Sequence, residues 1–104
     1  MVTVRSTRQV TTSANTAFQV WSKSEHRRVA QISVLTASTV AYIGDNSTVT
    51  ASTGHYVPVY VPLFFGKGGL DPTAELWMVE STGSKVITIY EEFTHDEHKI
   101  TAKD

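Results

Sequence analysis

The sequence predicts an all-β domain, a small antiparallel β-sandwich, with an open β-barrel as the alternative. Apolar residues fall on every second position in short runs such as Ala30-Gln31-Ile32-Ser33-Val34 and Tyr56-Val57-Pro58-Val59-Tyr60-Val61. That is the period of half-buried strands. Clusters of Ser, Thr, Gly and Asn separate the runs, and no stretch carries a helical apolar period. The patterning is irregular, and Pro58 cannot donate to a strand ladder, which favours an open-edged sandwich over a closed barrel.

Taken in order, Val2, Val4 and Val10 alternate loosely with Thr3, Arg5 and Thr7, so residues 1–12 read as an N-terminal arm or edge strand. Residues 11–15 form a turn. Residues 17–21 read as a strand with Phe18 and Val20 on one face and Gln19 and Trp21 on the other. A charged connection spans 22–28. Residues 29–36 make the clearest central strand, with Ala30, Ile32 and Val34 inward. Ala37-Ser38 reads as a tight turn that returns 39–43 as the second strand of a hairpin. Residues 44–54 form a polar loop whose side chains can bond the backbone in place of a ladder.

Residues 56–61 read as a strand with Tyr56 and Tyr60 on one face and Pro58 at an edge or bulge. Leu63-Phe64-Phe65 is apolar and ends at Gly66-Lys67-Gly68-Gly69; Leu70-Asp71-Pro72 marks a turn. Residues 74–80 and 85–93 read as a closing hairpin over 81–84. The sandwich thus covers 13–93. Residues 94–104 are polar with Ile100 as the one bulky apolar side chain, and read as a mobile tail or an arm that orders on a partner.

The 104 residues suffice for one domain with one core. The formal charge of -1 builds no basic field of the kind nucleic-acid binders carry. Without cysteine there is neither a disulfide framework nor a thiolate metal site, which fits folding in a reducing cytosol. The start of the chain lacks the basic and apolar regions of a secretory signal, and no apolar run is long enough to span a bilayer.

Few residues suggest chemistry. His95-Asp96-Glu97-His98 has metal-ligand residue types, but a structural zinc site usually takes four ligands. The glycine run at 66–69 lacks the wider spacing and Lys-Ser/Thr ending of a phosphate loop. Glu91 and Glu92 are adjacent on a strand, so their carboxylates point to opposite faces and cannot converge as an acid/base pair. They read as a charged face that blocks edge pairing. No serine sits in a nucleophile-elbow context. The expectation is a non-enzymatic protein with no cofactor and no metal.

Three surface features remain. Tyr56 and Tyr60 fit a protein contact, a sugar-stacking platform or burial under a second layer. His26-Arg27-Arg28 is a compact positive patch, fitting an acidic partner surface or a solvated loop. Trp21 and Trp77 read as core or core-edge residues.

From Ser13 to Phe93 the order of features resembles small virion proteins of tailed bacteriophages. The matching pieces are Arg27-Arg28, Ile32-Ser33-Val34, Tyr42-Ile43-Gly44, the Ser/Thr-rich stretch from Thr48 to Gly54, Val57-Pro58-Val59, Leu76-Trp77-Met78-Val79 and Val86-Ile87-Thr88-Ile89. The turn at Thr36-Ala37-Ser38 is not Asn-rich as in that group, and the charged tail is an addition. The resemblance implies a decoration protein on the capsid surface, made in the host cytoplasm and binding the major capsid protein. It implies a homo-oligomer, trimers being common, with no direct nucleic-acid or membrane contact. The alternatives it leaves are a receptor- or glycan-binding module, with Tyr56, Tyr60, His55 or Trp77 exposed, and a minor tail or connector protein. The residues expected at the interface are Val2, Val4, Arg5, Arg27, Arg28, Tyr56 and Tyr60. The N-terminal arm is expected to be removable without unfolding the domain.

Overall fold

A computed structural model describes residues 2–37 and 39–95, with nothing of the His95 side chain. Eight strands form, β1 (Val2–Thr11), β2 (Phe18–Trp21), β3 (Arg27–Val34), β4 (Ala41–Gly44), β5 (His55–Val57), β6 (Leu63–Phe65), β7 (Leu76–Glu80) and β8 (Val86–His95). They make two antiparallel four-stranded sheets, ordered β1-β8-β3-β6 and β2-β7-β4-β5. The sheets pack face to face as a β-sandwich. Strand β1 pairs β8, β2 pairs β7, β3 pairs β6 and β4 pairs β5. This is the nesting of one long hairpin, closed at β4–β5 and rolled onto itself, which defines a jelly roll.

Alternation fills the space between the sheets. Ala30, Ile32 and Val34 of β3, Ile87 and Ile89 of β8, Ala41 and Ile43 of β4, and Met78 of β7 are all buried. In β2 a register irregularity between Gln19 and Trp21 turns two successive side chains inward. Val20 and Trp21 are therefore both buried, whereas strict alternation had put them on opposite faces. The Trp21 ring meets Phe65 edge-on at 5.0 Å, and its Nε1 donates to the Ala74 carbonyl.

Two expected hairpins do not form. Strand β4 lies in the other sheet from β3 and pairs with β5 and β7. Likewise β7 and β8 belong to different sheets. Their connections cross between the layers, and one buried carboxylate holds the crossings. Glu80 accepts from Thr12 Oγ1 (3.0 Å), Val40 N (3.3 Å), Thr82 N (3.0 Å), Thr82 Oγ1 (2.5 Å) and Gly83 N (2.5 Å). The donors come from the β1–β2, β3–β4 and β7–β8 connections.

Strand β8 runs through Thr94 to His95 and is interior to its sheet. Most of the expected polar tail, including His98, lies outside the described residues. Strand β5 stops at Val57, so the expected strand over 56–61 is cut short. Tyr60 has φ 67°, a left-handed backbone, and its amide donates to the Val34 carbonyl at 2.8 Å.

Candidate interaction surfaces

The expected interface residues divide into three groups. Val2, Val4 and Arg5 lie on β1, an edge strand of ten residues bonded along its whole length to β8. The facing sheet has strands of only four, five, four and three residues. The β1/β8 ribbon therefore extends past it, and the inward-facing Val2 and Val4 remain 38% and 47% exposed. The Arg5 guanidinium pairs with Glu92 on the outer face at 3.3 Å.

The hydrogen-bond direction along β1 follows from one contact. Thr12 N donates to Lys85 O at 2.8 Å, continuing the β1–β8 register. Antiparallel ladders alternate, so even-numbered residues turn their N–H and C=O groups to β8. Thr3, Arg5, Thr7, Gln9 and Thr11 turn theirs to the free edge. Removing the first ten residues would strip a neighbour from the interior strand β8, so β1 is not a detachable arm.

Arg27 is not a surface residue. It is 2% exposed, because a register irregularity between Arg27 and Val29 turns it inward. Its Nε donates to Glu91 at 2.9 Å, its Nη1 donates to Pro72 O, and its guanidinium lies 5.1 Å from both the Trp21 and Phe93 ring centres. Arg8 also pairs with Glu91 and bonds the Val20 carbonyl. Glu91 is thus a buried partner of two arginines, and neither it nor Glu92 guards a sheet edge as the sequence suggested. Arg28, one residue on, is exposed.

Tyr56 and Tyr60 do not share a face. Tyr60 sits in the turn beside the end of β3, and Leu35, Tyr60 and Val61 are each exposed. Tyr56 is on the outer face of the second sheet. Its ring meets Tyr42 of β4 edge-on at 5.7 Å. Trp77 of β7, opposite Gly44, is on the same outer face and half-buried. Its Nε1 donates to Glu75 Oε2 at 2.8 Å, and Gln19 Nε2 donates to the same oxygen at 3.4 Å. His55 pairs with the inward-facing Ile43, so alternation puts it on the other side of the sheet from Tyr56.

The loop after β4 folds back over this outer face. A Cβ on Gly44 would meet Val49 Cγ2 at 2.7 Å, and one on Gly54 would meet Tyr42 Cβ at 2.7 Å and Val49 Cγ2 at 2.8 Å. The two glycines therefore seat Val49 against the sheet. As its composition suggested, the loop bonds itself: Asn46 Oδ1 accepts from Thr48 N, and Thr53 Oγ1 accepts from Thr50 N. Gly44, Asp45, Asn46, Thr48, Val49 and Thr53 line a depression of about 140 Å³. Among the described residues no group of three or more His, Cys, Asp or Glu is placed to hold a metal ion.

Sequence reading missed the contact of Tyr42 with Tyr56 on this outer face, and that Trp77 lies on the same face. The available signals were Tyr42 alternating with buried Ala41 and Ile43, and Trp77 lying between buried Leu76 and Met78. Comparison with protein families, with curated proteins and with solved structures finds no match for the chain.

Proposed function

We propose that the chain is a non-enzymatic structural protein of a tailed-phage particle, a decoration protein that binds the major capsid lattice through the free edge of β1. The observation that carries this reading is a ten-residue edge strand with no proline, its alternate backbone groups turned outward. Such an edge is a template for adding a partner's extended segment as a fifth strand. The half-exposed Val2 and Val4 supply apolar contact at one end of it.

Jelly rolls recur in viral capsid domains, and this likeness adds support at the level of fold analogy. Copies clustered about a lattice axis, as trimers or another symmetric group, would cover exposed apolar side chains such as Leu35, Tyr60 and Val61. Many copies binding the assembled lattice stabilise it by mass action.

The test is immunogold labelling of particles with antibody raised against the purified chain. Gold spread evenly over the heads is the expected result. Gold confined to a tail tip or neck would transfer the reading to a receptor-binding or connector protein. Unlabelled particles would overturn it.

A further inference from the structure

Among the described residues nothing pairs with the outer side of β1. Thr3, Arg5, Thr7, Gln9 and Thr11 turn their amides and carbonyls to it, so an added antiparallel strand sets these residues in the hydrogen-bonded positions. The same five carry their side chains on the outer face of the sheet, with Arg5 beside Glu92. Val4, Ser6, Arg8 and Val10 point to the inner face.

We propose that in solution this edge is occupied by β1 of a second copy of the chain, antiparallel about a two-fold axis at Thr7. In that register Thr7 meets Thr7, Arg5 meets Gln9 and Thr3 meets Thr11 on the outer face. On the inner face Val4 meets Val10 and Ser6 meets Arg8. Every outward amide and carbonyl from Thr3 to Thr11 gains a partner. The half-exposed Val4 gains an apolar neighbour that the shorter facing sheet does not supply. The other two-fold registers are poorer. An axis at Arg5 or at Arg8 sets arginine directly opposite arginine, which is destabilising. An axis at Ser6 sets Arg8 against Val4, and an axis nearer either end leaves about half of the strand unpaired. The charges and the apolar positions of β1 thus match a second β1 in one register.

Contact through one strand from each copy is small for a protein interface, so the pair forms and parts reversibly. Its consequence rests on β1 being the attachment edge. Self-pairing then covers an edge that invites aggregation, and a lattice that offers many copies of its own segment displaces the second copy by mass action. The dimer is the stored form and the opened monomer the one that attaches.

The chain contains no cysteine, so a single introduced one reports the register. Across the axis the two Thr7 Cα atoms stand about 5.5 Å apart, within disulfide reach. The two Gln9 residues are offset by about 13 Å along the strands and out of reach. Full-length Thr7→Cys and Gln9→Cys, both at exposed positions, are oxidised under identical conditions. Wild type and Thr7→Pro are followed by sedimentation velocity over a concentration series. The expected result is a monomer–dimer equilibrium for the wild type, weakened roughly tenfold or more in Thr7→Pro. Thr7→Cys should form disulfide dimer roughly tenfold faster than Gln9→Cys. A wild-type chain that stays monomeric up to about 1 mM, or assembles as a trimer, overturns the pairing. So does cross-linking at equal rates in the two cysteine variants, which decide the matter alone where Thr7→Pro fails to fold. Mixing the oxidised Thr7→Cys dimer with phage heads separates pairing from attachment. The locked dimer should stay in the supernatant, and pellet with the heads once reduced. A locked dimer that pellets unreduced would contradict attachment through β1 and with it the stored-form role, while the pairing itself stands. A monomeric wild type that pellets where Thr7→Pro does not would overturn the pairing and leave attachment standing.

Discussion

Thr12 and Glu80 are 68 residues apart in the chain, yet Thr12 Oγ1 donates to Glu80 Oε1 at 3.0 Å in the buried end of the sandwich. The same Thr12 oxygen accepts from Lys85 N, so one hydroxyl joins the ends of β1 and β7 to the start of β8. With the amides of Val40, Thr82 and Gly83, this contact pins three sheet-to-sheet crossings to one carboxylate. The end of the jelly roll is held by polar geometry where the apolar core stops.

Stability should therefore depend on the charge of Glu80. Burial pushes its carboxyl up, but the hydrogen bonds from Thr82, Gly83 and Thr12 outweigh burial and hold it at about 2, against an ordinary value of 4.5. A depressed carboxylate contributes stability that is fully present above its unfolded value and lost as pH falls through its folded one. The difference corresponds to roughly 3 kcal/mol. Urea unfolding should show this contribution at pH 7, shrinking from about 4.5 down to about 2. Glu80→Gln should lower stability at pH 7 by roughly 2–4 kcal/mol and flatten that window relative to the wild type. An unchanged pH profile in Glu80→Gln would remove Glu80 from this role.

At the opposite end, Arg27 and Glu91 form a buried pair 2.9 Å apart. Removing one partner leaves a buried charge, so Arg27→Met should cost roughly 3–5 kcal/mol. Arg8 also pairs with Glu91, which places the loss at the lower end of that range. The double variant Arg27→Met/Glu91→Met should recover part of it. A thermodynamic cycle from denaturant melts checks this, and additive losses would show that the pair is not coupled.

Gly44 and Val49 should be coupled through packing. Gly44→Ala forces its new methyl against Val49 and should cost roughly 1–3 kcal/mol. In a Val49→Ala background the same change should cost clearly less. Equal costs in the two backgrounds, measured by thermal unfolding, would mean that Val49 is not what requires the glycine.

These relationships differ in how far the sequence reveals them. Period two located the inward residues Ala30, Ile32 and Val34 of β3, all of which are buried. Periodicity says which side of a strand is apolar but not which sheet the strand joins. The β3–β4 and β7–β8 connections, short enough for hairpins, consequently read as hairpins. Their real course brings Glu80 to Thr12, a contact no local window contains. Arg27 read as part of a charged patch for the same reason, since Glu91, Trp21 and Phe93 converge on it only in the fold. Counting through Val57-Pro58-Val59 puts Tyr60 on Tyr56's face, but the chain leaves the strand after Val57 and turns left-handed at Tyr60. On the outer face of the second sheet Tyr56 and Trp77 are legible in the sequence, while the Tyr42–Tyr56 contact and the Trp77–Glu75 bond depend on the β5-β4-β7 order and the fold.

The most direct test of attachment through β1 is co-sedimentation of Thr7→Pro with phage heads. The Thr7 amide points to the free edge, so proline there removes no bond to β8 but blocks a strand adding from outside. Attachment through the β1 edge requires a variant that melts like the wild type and stays in the supernatant while the wild-type chain pellets with the heads. A folded Thr7→Pro that pellets as fully as the wild type would contradict it.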